Sequence, residues 1–186
     1  MKLVVGISGA TGVIYGVRLL QALQAVSDIE THLVISEPAV KTLAAEMRWS
    51  LSQVLALADY HYQNEDIGAR IASGSFRTAG MVVIPCSIKT LSAIAHSYDH
   101  NLMTRAADVT LKEGRKLVLV TRETPLHLGH LRLMTAAAEM GAVLLPPMPA
   151  FYHQPQSVQD IVDQTVGKVL DQFGIDNQLY RRWNGL

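Results

Sequence analysis

Residues Met1 to Gly16, MKLVVGISGATGVIYG, constrain the fold more than any other stretch of the chain. Leu3, Val4, Val5 and Ile7 make a short apolar run with two adjacent valines, the pattern of a strand buried on both faces. The run gives way at Gly6 and Ser8 to Gly9-Ala10-Thr11-Gly12, after which Val13, Ile14, Val17, Leu19, Leu20 and Leu23 recur at helical spacing. Strand, small-residue turn and helix form the opening unit of a doubly wound α/β protein. Such a turn leaves backbone N–H groups at a helix N-terminus, where a phosphate is stabilised. Glycines there admit a ligand that a Cβ would fend off. The spacing Gly6-x-x-Gly9-x-x-Gly12 is neither the dinucleotide pattern G-x-G-x-x-G nor a P-loop. The turn therefore reads either as a phosphate site or as a tight connection with no ligand.

The following segments alternate in the same way. Glu30 to Ser36 (ETHLVIS) reads as a second strand, and Pro38 opens a helix that continues through Met47. Ser36 either caps that helix or faces the crevice at the strand's C-terminal end. Trp49 to Leu57 reads as a short helix, and Asp59 to Arg77 is the least patterned part, with a short strand at Arg70-Ile71-Ala72. Met81 to Pro85 (MVVIP) is a buried strand that runs into Cys86-Ser87-Ile88-Lys89-Thr90, then into a helix carrying Leu91, Ile94 and Ala95. This is a second small-polar turn, and it carries a cation. Two such turns at one sheet edge would grip a phosphorylated ligand.

Leu102 to Glu113 is helical and puts Arg105, Asp108 and Lys112 on one face, the pattern of a solvated charged stripe. Lys116 to Thr121 (KLVLVT) is a buried strand delivering Arg122-Glu123-Thr124-Pro125 to the same edge. Pro125 opens a helix over Leu126 to Met140, and Ala142 to Leu145 is the last strand. A proline-stiffened loop leads to Phe151 and Tyr152. Pro155 then opens a final helix, Val158 to Phe173, carrying Lys168. The tail from about Gly174 holds Tyr180, Arg181, Arg182 and Trp183, and reads as a subunit contact or a lid.

The alternation predicts a parallel sheet with helices on both faces, three layers in all, as one domain over residues 1–186. Only 17% of residues are charged against 49% hydrophobic, too little charge to cover a monomer, so subunit contacts are expected. Net charge is zero with no basic block, which argues against nucleic-acid binding. No segment reaches the roughly 18 apolar residues of a membrane span. The first residues read as a strand rather than a signal peptide, which places the chain in the cytoplasm. The single cysteine, Cys86, forms no internal disulfide and reads as a small core hydrophobe. His96/His100 and His127/His130 have metal-compatible spacing but bring no third ligand, so no metal is expected. Gly9 to Thr11, Ser36, Ser87 to Thr90, Arg122-Glu123 and Tyr152 all fall at one edge. The residues by themselves point to a binder of a phosphorylated, aromatic small molecule.

The stretches SGATGVIYGVRLL, HLVIS, VIPCSIKTLSAIAHSYDHNLMTRAADVTLKEGRKLVLVTRETPLHLGHLRLM and LPPMPAFY resemble the UbiX flavin prenyltransferase family over essentially the whole chain. The resemblance implies a flavodoxin-like, Rossmann-like doubly wound parallel sheet that binds FMN. It implies transfer of a dimethylallyl group from dimethylallyl phosphate to N5 and C6 of reduced FMN. The prenylated FMN would serve a UbiD-type decarboxylase, and the assembly would be a homododecamer built from trimers.

By the same resemblance the flavin phosphate and ribityl lie on Gly9, Ala10 and Thr11, with Ser36, Ser87, Ile88, Lys89, Thr90 and Arg122 as further FMN contacts. The prenyl phosphate lies on Tyr152 and Lys168, helped by Arg105 and Lys112 from neighbouring chains or turns. Glu123 is the acid–base residue beside the leaving phosphate, and Glu46 stands near the place of a second family glutamate. Thr11 stands where many members have serine. Lys168 stands where many have arginine, which keeps the charge but loses the bidentate fork. Two alternatives remain open: a non-catalytic FMN-binding subunit of an aromatic acid decarboxylase, and a flavin-dependent decarboxylase. The related cysteine decarboxylases carry asparagine in a Pro-Ala-Ser-Ala-Asn-Thr turn, where this chain has Pro85-Cys86-Ser87-Ile88-Lys89-Thr90.

Overall fold

The apolar runs become the strands of one sheet in a computed structural model that describes residues 1–185. The strands are β1 (Lys2–Ile7), β2 (Glu30–Ile35), β3 (Tyr60–Tyr62), β4 (Gly80–Cys86), β5 (Lys116–Thr121) and β6 (Val143–Leu144). All neighbours pair in parallel, in the order β3-β2-β1-β4-β5-β6. With the short edge strand β3 set aside, this is the flavodoxin order, whose direction of travel reverses between β1 and β4. Among the described residues seven α-helices cover the sheet: α1 (Val13–Gln24), α2 (Glu37–Glu46), α3 (Leu51–Leu55), α4 (Ile88–Ala95), α5 (Leu102–Lys112), α6 (Leu128–Glu139) and α7 (Val158–Gln172).

The two-residue period of the strands divides the core between two faces. Leu3, Val5 and Ile7 of β1 pack with Val82, Ile84, Val118 and Val120 under Val13, Val17 and Leu20 of α1 and Val166 and Leu170 of α7. Val4, Met81, Val83, Leu117 and Leu119 face the other way, onto Leu91 and Ile94 of α4, Leu102, Met103 and Ala106 of α5, and Ala137 of α6. Leu3, Val5 and Ile7 are fully buried, and such side chains each contribute roughly 1.5–3 kcal/mol. That is why the β1 run sets the fold.

The structure departs from the sequence reading at three places. Arg70 to Ala72 is a 3-10 turn, not a strand; Ile71 alone of the three is buried, so no alternating face exists to pair. The sheet edge comes instead from Tyr60-His61-Tyr62, too brief to show periodicity. Pro125 does not open α6, which begins at Leu128 after His127 Nδ1 accepts from the Gly129 N–H at 3.0 Å. Likewise Ser157, not Pro155, starts α7: its hydroxyl accepts from Asp160 N–H in a reciprocal capping box.

Edge strand β3 is held by His32, which is fully buried in β2. Its ring stacks on Tyr60 and Tyr62 at 5.1 and 6.0 Å and meets Phe76 edge-on at 5.1 Å. Nε2 is 2.8 Å from Glu30 Oε1 and Nδ1 2.9 Å from the Tyr62 hydroxyl. Burial lowers the His32 pKa below its ordinary value, against a smaller upward pull from Glu30. The unfolded chain therefore takes up a proton near pH 6.5 before the folded one does. Stability is full above that pH and falls as the pH drops through the window beneath it. Urea midpoints should decline from pH 7.5 to pH 5.5 in the parent protein, and His32→Gln should flatten that dependence while lowering stability throughout.

Candidate functional site

The ends of β1 and β4 are tied together by one buried hydroxyl. Ser8, 1% exposed, donates from Oγ to the Pro85 carbonyl at 2.9 Å and accepts from the Ser87 N–H at 2.7 Å. The Ser8 N–H also reaches the Pro85 carbonyl, at 3.2 Å. These bonds fix Ser87 as the residue that caps α4. Its hydroxyl accepts from the Thr90 N–H at 3.3 Å and donates to the Thr90 hydroxyl at 3.0 Å. As the first two residues of the helix, Ile88 and Lys89 have N–H groups without an intrahelical acceptor.

Those groups open on a cavity of about 320 Å³ at the carboxyl edge. Its lining comes from Gly9 after β1, Ser36 and Pro38 at the start of α2, Asn64, Ser87 to Thr90 at the start of α4, His100 and Asn101 before α5, and Glu123 after β5. The lining fits a phosphorylated flavin in three respects. Hydroxyls of Ser36, Ser87 and Thr90, the open N–H groups and the Lys89 ammonium make a donor set suited to a phosphate. A Cβ at Gly9 would stand 2.3 Å from the Pro38 Cβ, so only glycine leaves this wall where it is. The volume lies at the lower end of small-molecule sites, enough for part of the ligand with the rest on the open rim.

Ser36 does both things open to it, since it caps α2 by accepting from the Ala39 N–H at 3.3 Å and lines the cavity. The first turn behaves differently from its sequence reading. The N-terminus of α1 does not face empty space: Glu46 Oε2 accepts from the N–H of Gly12 at 2.9 Å and of Val13 at 3.3 Å. Gly12 offers no side-chain cap, and the α2 carboxylate supplies one. An anion is thus already present on α1, and the open anion site is on α4.

Of the first turn, Gly9 lines the α4 cavity, while Thr11 lines an adjoining hollow of about 450 Å³ with Tyr15, Glu46 and Arg122. Ala10 lies between them and lines neither. β5 delivers consecutive residues to both spaces, Arg122 to the hollow and Glu123 to the cavity. The Glu123 carboxylate is steadied by the Thr124 N–H at 3.0 Å. Burial raises the Tyr15 pKa, and the Arg122 charge lowers it by less.

The remaining sequence candidates are not brought into the cavity by their own chain. Arg105 is no solvated stripe: it donates to Asp99 at 3.0 Å, Asp108 at 3.2 Å and the Ala72 carbonyl at 3.2 Å. Asp108 titrates above the usual carboxylate range, chiefly through burial and then through Asp99. Lys112 closes α5 and pairs with Glu113 at 2.5 Å. It lies roughly 16 Å along the helix from Asn101, towards the amino edge. Lys168 is exposed on α7, one turn before Gln172, whose carbonyl accepts from Lys116 at the start of β5. Tyr152 packs edge-on against Trp183 at 5.8 Å.

Sequence reading missed Ser8, Asn64, His100 and Asn101. Asn64 Oδ1 accepts from the Met103 N–H at 3.1 Å, which pins an unpatterned loop to the start of α5, a contact no local periodicity announces. Cys86 is fully buried, and burial pushes its thiol pKa up, away from nucleophilic use. Among the described residues no three His, Cys, Asp or Glu side chains stand together as a metal site, and no helix is long and apolar enough to cross a membrane.

The flavoprotein family matches residues 1–170. The flavin prenyltransferase UbiX of Escherichia coli (strain K12) is 64% identical over 186 residues, covering 99% of this chain and 98% of that protein. A dodecameric FMN-dependent UbiX-like decarboxylase from Escherichia coli O157:H7 superposes with a TM-score of 0.98 at 55% identity, covering 100% of both chains. AnUbiX (PadA1), solved with FMN and dimethylallyl pyrophosphate, gives 0.97 at 48% identity, covering 100% of this chain and 98% of that one.

The Glu46 contact has a measurable consequence. Glu46→Ala should cost about 0.5–1 kcal/mol in urea unfolding, the lower part of the range for a lost helix cap because the carboxylate is exposed. Glu46→Gln, which keeps an acceptor, should recover most of it.

Proposed function

Because the chain belongs to the flavoprotein family and, within it, to the UbiX flavin prenyltransferases, we propose that its α4 cavity binds reduced FMN for prenylation. The chain is a prenyl-group transferase, and the donor is a dimethylallyl phosphate. One observation carries the assignment of residues: the residues at the open N-terminus of α4 and Glu123 line one and the same cavity. Ser36, Ser87, Ile88, Lys89 and Thr90 hold the flavin phosphate, and Gly9 gives the ribityl chain room. Thr11 and Arg122 meet the ring side through the adjoining hollow. This moves the phosphate from the first turn, where Glu46 already caps α1, to the second.

Reduced FMN, when bound, supplies the electron-rich ring that accepts the prenyl carbon. The protein's own task is to make the allylic phosphate a good leaving group. Cations and donors placed where its charge develops lower that barrier without a metal. Tyr152, Lys168, Arg105 and Lys112 have the chemistry for this, yet their own chain keeps them outside the cavity. We therefore assign them to the cavity of a neighbouring copy, so that the site is complete only in the assembly. Glu123 moves a proton between its carboxylate and the departing phosphate oxygen or the ring carbon that closes.

An assembly also accounts for exposed Leu126, Leu128 and Leu131 around the start of α6 and Met148 and Phe151 in the following loop. The dodecamer of the O157:H7 relative is the form we propose here. A UbiD-type decarboxylase would receive the prenylated FMN, in the cytoplasm, where the lone thiol stays reduced. A non-catalytic flavin carrier is the alternative that an activity measurement separates.

Anaerobic mixing with reduced FMN and dimethylallyl monophosphate, or the diphosphate, should add the mass of one prenyl unit to the released flavin. Glu123→Gln should retain FMN binding within about twofold and lose product by at least about a hundredfold. Bound flavin without mass gain from either donor would leave the carrier reading, and full turnover by Glu123→Gln would remove Glu123 from the chemistry.

A further inference from the structure

The segment after α7 is built as a docked strap. Gly167 lies inside α7, where glycine weakens a helix, so its place there needs a reason. A Cβ at Gly167 would stand 2.5 and 2.6 Å from ring carbons of Tyr180. The missing side chain is thus a notch that the Tyr180 ring fills. One turn further along α7, Asp171 collects the polar groups of the same segment. Its carboxylate accepts from the Tyr180 hydroxyl at 2.8 Å, from Asn177 Nδ2 at 3.0 Å, and from both terminal nitrogens of Arg182 at 2.7 and 3.0 Å. The Arg182 guanidinium also sits over the Tyr180 ring at 5.3 Å. These bonds, that of Arg182 foremost, pull Asp171 below the usual carboxylate range, while burial, helped by the bond to Asp171, pushes Tyr180 up to about 12.

The next residue, Trp183, meets the Tyr152 ring edge-on at 5.8 Å and 78°. Tyr152 is in a loop with few other anchors, its remaining ring contact being His153 at 5.5 Å. Lys168 adjoins the notch in sequence. The strap therefore lies beside both residues assigned to the prenyl phosphate.

We propose that Gly167 and Asp171 are positioning residues that dock the chain's own tail so that Trp183 holds Tyr152 in place for the prenyl donor. The docking stands on the contacts above, and the effect on the donor rests on the assignment of Tyr152 under Proposed function. Asp171 does not touch substrate; it acts through Arg182, Tyr180 and Trp183. Gly167 supplies the space and Asp171 the charge, so either substitution should release the same segment.

Two readouts test this on the full-length, FMN-loaded protein. Trypsin cleavage after Arg181 and Arg182, followed by intact mass, reports docking without reference to activity. Asp171→Ala and Gly167→Ala should each speed that cleavage by about tenfold or more, as expected when a local closed state is lost. Gly167→Ala should not lower the melting temperature, because alanine favours the helix, so faster cleavage there is not unfolding. Steady-state kinetics should show kcat/KM for dimethylallyl monophosphate falling about tenfold, with FMN affinity within about twofold. Cleavage at the parent rate in both variants would overturn the docking. Faster cleavage with unchanged kcat/KM, while Tyr152→Phe does lower it, would overturn the positioning role. If Tyr152→Phe also leaves kcat/KM unchanged, the assignment of Tyr152 fails and the positioning role with it, while faster cleavage still establishes the docked tail.

Discussion

The carboxyl edge of this sheet depends on the bonds of Ser8. Parallel strands β1 and β4 are adjacent in space but 77 residues apart at the Ser8–Pro85 contact, and each ends in a loop free to diverge from the other. The Ser8 hydroxyl donates to the Pro85 carbonyl near the end of β4 and accepts from the N–H of Ser87 two residues on, using both of its capacities in a buried place. An alanine there would leave the Ser87 N–H without its acceptor and the Pro85 carbonyl with the backbone N–H of that position alone, the costly side of hydrogen bonding. What the bonds secure is the entry geometry of α4. Ser87 can cap the helix only if its backbone is held, and the cavity is lined by the row of residues that follows it.

The helices α1 and α4 both present their N-termini to this edge, and they have opposite fates. At α1 the first N–H groups are already bonded to Glu46, so a ligand phosphate arriving there would meet a carboxylate. At α4 the first turn carries Lys89, a cation placed against the positive end of the helix dipole, which costs a little in an isolated helix. A cation is tolerated at that position when an anion completes the arrangement. The same small-polar turn is thus used twice in one sheet, once as structure and once as a site. The difference lies in a residue from a third element, α2.

How far the chain could be read from its residues follows from the range of the forces involved. The strands and helices were legible because burial imposes a period: Leu3, Val5 and Ile7 against Val4, or Leu91 and Ile94 of α4. The α4 turn was legible as well, since strand, small-polar turn and helix are contiguous in the chain. The edge strand Tyr60–Tyr62 was not, because three residues held by stacking on His32 carry no pattern of their own. Glu46 at α1 and Asn64 at α5 were not, because each bonds a backbone group more than thirty residues away. The charged face Arg105-Asp108-Lys112 was misjudged for a related reason. Periodicity finds the face but says nothing of the Ala72 carbonyl and Asp99 that turn Arg105 into a clamp.

The distribution of charge connects these points to binding. With 16 basic and 16 acidic residues the chain is neutral, and many of its cations are used internally: Arg18 on Asp163, Arg105 on Asp99 and Asp108, Lys112 on Glu113, Arg182 on Asp171. Among the described residues, Lys89 and Arg122 have no carboxylate within 4.0 Å, and these are the cations that line the two spaces at the carboxyl edge. A neutral molecule attracts an anion where it leaves cations unpaired, and here Lys89 and Arg122 stay unpaired although Glu123 and Glu46 line the same two spaces. Glu46 enters the same hollow, but its carboxylate is turned onto backbone N–H groups, which blunts its repulsion of an incoming phosphate. The crevice thereby offers unpaired cations without a basic surface, which is why the composition gave no hint of a charged ligand while the second turn did.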